Sequence, residues 1–162
     1  MDLYYIVSNT KLPDILSPEI PKFYKDMPRE RRLEYTRNNF WGDMKTPRIS
    51  LFTSIDAAIQ GSFLYRAQYV APENASWYVY SVFMVQQDKV RKPSKEEEPC
   101  VQLIPISWYT GNAKLKYLGT IQPSRIDDGN QKGFVLTDKN VYSDNAPTMY
   151  ISKYRWEWLQ RA

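Results

Sequence analysis

Nine consecutive residues, Trp77 to Val85 (WYVYSVFMV), are mostly aromatic or β-branched, and no charge interrupts them. Such side chains fit a pleated, buried surface, so the run predicts a central strand. A central strand needs partners on both edges, and the chain offers several short ones. Leu3 to Val7 (LYYIV) predicts a buried opening strand that stops at Ser8-Asn9-Thr10. Arg48 to Phe52 (RISLF) alternates in strand fashion. Cys100 to Trp108 reads as a strand interrupted at Pro105, hence an edge or a bulge. In Lys114 to Ile121 (KLKYLGTI), Lys114 and Lys116 alternate with Leu115 and Tyr117, as a half-exposed strand does. Phe134 to Leu136 is a short strand at best. The tail TMYISKYRWEWLQ reads as a strand with Tyr150, Tyr154, Trp156 and Trp158 on one face and Lys153, Arg155 and Glu157 on the other, in preference to a helix stacking Ile151, Tyr154 and Trp158.

Helices are fewer. Pro13, Pro18, Pro21 and Pro28 exclude a long helix between residues 12 and 27. A short helix is expected over about 29–40, just after Pro28. Thr53 followed by Asp56 has capping-box spacing and predicts the principal helix over about 54–67, with Ile55, Ala58, Ile59 and Phe63 on its buried face. Residues 88 to 99, with KEEE and two prolines, read as a solvated loop. The 13 Tyr, 6 Phe and 5 Trp supply enough large side chains to close a core without disulfides or metals. The expectation is a single α+β domain over residues 1–162, with a mixed, mostly antiparallel sheet.

The absence of histidine removes Ser-His-Asp and Cys-His nucleophiles and every His-bearing metal site. One cysteine, Cys100, makes no intramolecular disulfide, which suits a reducing compartment. No run of about 18 apolar residues is present, and the N-terminus has no basic start followed by an apolar stretch. A soluble, cytoplasmic protein with no membrane partner is expected. The net charge of +4 permits an anionic partner.

Walker and dinucleotide glycine motifs are missing, and Gly129-Asn-Gln-Lys-Gly133 reads first as a surface turn. The Thr53-Ser54 turn, with two hydroxyls at a helix start and Arg48 nearby, is the better anion cradle, although capping alone also accounts for it. Among carboxylates, Glu157 stands out because it lies between Trp156 and Trp158, where partial burial would raise its pKa. Asp127-Asp128 reads as a turn rather than a metal site; no metal is expected. Tyr and Trp interleaved with Lys and Arg over residues 150–158 have the composition of a single-stranded nucleic-acid binder, with Lys114 and Lys116 as further cations, or else are core residues.

The order LYYIVS, proline-containing loop, RISLFTSIDAAIQ as strand–turn–helix, then WYVYSVF resembles the N-terminal half of the ADP-ribosyltransferase fold. The resemblance implies NAD or a related nucleotide as ligand. In that family the first strand carries a His or Arg, the second strand ends in a Ser-Thr-Ser or Tyr-type motif, and a later strand supplies a glutamate. Tyr5 would stand at the His/Arg position, Phe52-Thr53-Ser54 at the Ser-Thr-Ser position, and Glu157 as the catalytic glutamate, with Asn112 as the uncharged alternative. With Tyr5 in place of His or Arg, the ligand loses an anchor and transfer chemistry is expected to be weak or absent. The implied ligand site is lined by Tyr5, Ser8, Arg48, Thr53 and Ser54. Two other readings stand beside it, a single-stranded nucleic-acid-binding module and a non-catalytic, inhibitor-like protein-interaction domain.

Overall fold

The computed structural model describes residues 3–21, 45–64, 76–98, 104–125, 132–135, 148–150 and 154–162, together with residues 25, 28–30, 32–33, 43 and 101. The expected α+β architecture is what it shows. The strands are β1 (Tyr4–Ser8), β2 (Ile15–Leu16), β3 (Ile49–Phe52), β4 (Trp77–Phe83), β5 (Val90–Arg91), β6 (Ile106–Tyr109), β7 (Ala113–Arg125), β8 (Lys132–Val135), β9 (Thr148–Tyr150) and β10 (Tyr154–Arg161); the helix α1 spans Ile55–Leu64. Eight strands form one sheet in the order β10-β7-β4-β1-β3-β6-β5, with β2 also on β7, while β8 and β9 pair separately. Every strand pair among the described residues is antiparallel.

β3 and β4 both pair with β1, so α1 carries the chain from one side of β1 to the other and must lie over it. Ala57, Ala58 and Ile59 of α1 pack with Val7, Phe52, Trp77, Val79, Trp108 and Ile121 on that face. Gly61 makes the close approach; a Cβ there would overlap the Phe52 ring. The opposite face buries Tyr4, Ile49, Leu51, Tyr80, Val82, Tyr109 and Leu115 under Leu12, Leu16, Val85 and Val90. Two tyrosine hydroxyls tie those covering segments down, accepting the Leu12 N–H at Tyr80 (2.9 Å) and the Gln86 N–H at Tyr109 (3.1 Å). A sheet covered on both faces explains why β4 reads as a continuous apolar run rather than an alternating one.

β7 is 13 residues long and bends at a bulge where it passes from β4 to β10. Gly119 there has φ +143°, and a Cβ would crowd Trp158, so glycine is needed. The bend brings β10 to the helix, where the Trp156 Nε1–H donates to Asp56 Oδ1 at 2.7 Å.

Several boundaries differ from expectation. The helix cap is Ser54, not Thr53: the Ser54 hydroxyl accepts the Ala57 N–H at 3.0 Å, and Asp56 turns to Trp156 instead of closing a capping box. Residues 65–67 of the expected helix lie outside the described residues. Residues 29, 30, 32 and 33 are helical, with the Arg32 N–H bonded to the Pro28 carbonyl at 3.0 Å, and the rest of the expected 29–40 helix lies outside the described residues. The strand expected from Cys100 begins only at Ile106, because Pro105 has no N–H to give a ladder. The loop read as solvated contains β5, and its Glu98 is buried in an ion pair with Arg48 at 3.7 Å. The tail is extended, as two strands. Most of the Gly129 to Gly133 turn and all of Asp127-Asp128 lie outside the described residues.

Candidate functional site

The residues proposed to line a ligand site fall into two groups, Tyr5 with Thr53 and Ser54 at one end of the β1–β3 pair and Ser8 with Arg48 at the other. Tyr5 pairs with Phe52 across β1 and β3. Continuing that antiparallel register three steps sets Ser8 opposite Ile49, next to Arg48, while Thr53 and Ser54 leave the sheet at its other end. Ser8 and Thr53 are therefore separated by four strand residues, about 14 Å. The sequence places the end of one strand near the start of the helix only if the first two strands run parallel, and they do not.

Four of these five side chains are also engaged, and Thr53 is exposed. Ser54 caps α1, and the Ser8 hydroxyl accepts the Thr10 N–H at 3.2 Å. Tyr5 packs against the helix-side core. Arg48 is buried, with Nη1 donating to the Thr46 carbonyl at 3.0 Å and its guanidinium 4.2 Å from the centre of the Trp108 ring. Arg91 stacks on the same ring at 5.0 Å and pairs with Glu97 through two hydrogen bonds of 2.8 and 2.7 Å. Those bonds hold the Glu97 carboxyl down to about 2. Asp43, beside them, is pulled upward by burial but ends below its ordinary value because the Thr46 hydroxyl and the Lys45 and Thr46 amides donate to it. The Arg48–Glu98 ion pair and the Asp43 N–H, which donates to the Glu97 carbonyl at 2.8 Å, join Asp43 and residues 45–48 to residues 91–98 beside Trp108. Among the described residues, Tyr5, Ser8, Arg48, Thr53 and Ser54 do not form one pocket that fits NAD.

Glu157 does not have the burial expected of it. Trp156 and Trp158 point toward α1 and meet edge to face, with ring centres 5.5 Å apart, whereas Glu157 alternates to the other side of β10 and is exposed. Asn112 is exposed in the turn between β6 and β7. The cations grouped for nucleic-acid contact also separate. Arg155 pairs with Ser124, ten residues along β7 from Lys114, which is about 33 Å, and Lys153 lies outside the described residues.

A different constellation comes together where α1 stops covering the sheet. Phe83 of β4 and Ile15 of β2 both stand directly opposite Lys114 of β7, so the three side chains form a row on one face. Val82 and Leu115, their neighbours in sequence, are buried on the opposite face, which puts this row on the helix side. One further step of the β1–β4 register brings Leu3 beside Phe83, and Lys116 stands next in the row above, opposite Ser81. Leu3, Ile15 and Phe83 are 60%, 55% and 44% exposed. Met84 follows at 73%, its sulfur 4.0 Å from the Lys114 ammonium. Met84 also has φ 56°, a left-handed conformation unusual for a long side chain. The chain turns sharply here, from the end of β4 toward the segment that crosses the opposite face.

This patch combines large apolar side chains with two ammonium groups, and Ser81 stands opposite Lys116. In the sequence its members fall in separate segments, Phe83 and Met84 in a run that predicts a buried strand and Ile15 in a proline-rich loop. The alternation of Lys114 and Lys116 was the available signal, since a face that exposes lysines also exposes whatever stands opposite them. Compared with family models, curated proteins and solved structures, the chain matches none.

Proposed function

We propose that the chain is a non-catalytic protein-interaction domain that docks an extended, acidic segment with apolar anchors on the uncovered sheet face. The carrying observation is the row Phe83–Lys114–Ile15, flanked by Leu3, Met84 and Lys116, where large exposed apolar side chains stand beside two ammonium groups. Grouped exposed apolar side chains among polar groups are what binding faces present. Lys114 and Lys116 select acidic partners, and Phe83 and Met84 provide the desolvated anchors.

The ADP-ribosyltransferase-like reading with NAD rests on the resemblance of the first half alone, since the residues it needs are apart or engaged. NAD is accordingly expected to leave the melting temperature unchanged. The test is selection of a displayed library of random twelve-residue peptides on the full chain. Selected peptides should be rich in Asp or Glu with aliphatic or aromatic residues, and Lys114→Glu with Lys116→Glu should reverse the charge preference while Phe83→Ser weakens binding about tenfold or more. Peptides with no charge bias, or binding indifferent to all three substitutions, would overturn the proposal.

A further inference from the structure

β10 is the last strand of the sheet, hydrogen-bonded to β7 on one side, and among the described residues no strand pairs with its other side. An open edge of this length presents a row of free N–H and C=O groups that templates another strand. Its register with β7 is regular from Tyr154 to Trp158 and is broken between Trp158 and Gln160. The straight part of the edge is therefore five residues long, and Trp156 is its midpoint. Arg155 and Glu157 flank that midpoint, both exposed and both on the side away from α1.

We infer that two copies of the chain associate by antiparallel pairing of β10 with β10, about a two-fold axis passing at Trp156, so that the sheet continues across both molecules. In that register Arg155 stands opposite the partner's Glu157, and Glu157 opposite the partner's Arg155. Trp156 meets the partner's Trp156, and Trp158 stands opposite the partner's Tyr154. Opposite charges and aromatic rings directly across a strand pair are stabilising combinations. Shifting the axis by one residue sets Glu157 against the partner's Glu157, and shifting it by two sets Arg155 against the partner's Arg161; both place like charges together. The bulge beyond Trp158, where Leu159 is 53% exposed, ends the flat edge and prevents longer, sliding registers. The occupant that fits this edge is a second copy, because the edge is complementary to itself in one register. One strand pair is a small interface, so the dimer is weak, with a dissociation constant on the order of 10–100 μM.

Sedimentation velocity of the full chain, from roughly 1 μM to roughly 500 μM, reads this directly. The wild type should shift from monomer to dimer across that range. Arg155→Glu and Glu157→Arg each turn two attractive pairs into two repulsive ones and should weaken association at least about tenfold. The double variant R155E/E157R restores both pairs with the charges exchanged and should dimerise within about threefold of the wild type. Both side chains are exposed, and circular dichroism checks that each variant remains folded. A wild type that stays monomeric throughout, single variants that dimerise as well as it does, or a folded double variant that stays monomeric would each overturn the pairing.

Discussion

Met84 holds a left-handed backbone conformation, φ 56°, that costs a residue with a Cβ roughly 1–2 kcal/mol, and glycine escapes that cost. A side chain kept there while largely exposed fits the binding face proposed above, since local strain is often retained at functional sites. Met84→Gly is therefore expected to raise the unfolding free energy by about 0.5–1 kcal/mol in urea titration, after the greater chain entropy of glycine is counted. The same substitution should weaken capture of acidic peptides. Stability and binding moving in opposite directions is the diagnostic result; a variant that is less stable would show that Met84 supports the fold instead. Ser54 behaves in the ordinary way: its hydroxyl satisfies the Ala57 N–H, and Ser54→Ala should cost about 1 kcal/mol, while Thr53→Ala, at an exposed position without that bond, should cost little. That contrast separates the observed cap from the one the sequence suggested.

Between elements, the most consequential contact is the ion pair of Arg48 and Glu98, whose side chains are 3% and 5% exposed. Removing one member of a buried pair takes the opposite charge from the other, so Glu98→Ala should destabilise by about 3–5 kcal/mol in chemical denaturation, whereas replacing both with apolar residues of similar volume should come close to neutral. The sequence did not disclose this pair. It lies 50 residues apart along the chain, and KEEE beside two prolines has the composition of solvated surface. What composition and periodicity expose well is local: β1, β3, β4 and the first half of β7 each show their pattern in five to nine residues, and each is a strand. Two-residue strands such as β2 and β5 have no pattern to show; they exist because longer neighbours offer them a free edge. The candidate site was illegible for the related reason that Phe83, Lys114 and Ile15 meet only through register, which no single segment encodes.

At the scale of the whole molecule, two carboxyls whose hydrogen bonds hold them below their ordinary values, Glu97 within the β5 loop and Asp43 beside it, predict a local sensitivity to acid. Glu97 is held at about 2 by its hydrogen bonds from Arg91 first and from the Ser94 amide next, against 4.5 for the free side chain, and Asp43 is also lowered. A carboxyl whose folded pKa lies below its unfolded one binds fewer protons in the folded state, so its stabilisation is fully present above the unfolded value and disappears as pH falls through the folded one. For Glu97 that window runs from 4.5 down to about 2. Acidification through it should loosen the segment around Val90–Arg91 and residues 92–98 first, because Arg91 then loses its partner. Amide hydrogen exchange measured at about pH 5 and about pH 2.5, corrected for the intrinsic rate, should show protection lost at Val90 and Arg91 and retained at Val79 and Ile121. Glu97→Gln should lower protection of the β5 segment already at about pH 5 and flatten its dependence on pH, leaving the smaller slope that belongs to Asp43. Uniform loss of protection across the sheet would place the acid-sensitive group in the core instead, and an unchanged profile in Glu97→Gln would show that the Arg91 pair does not hold this loop.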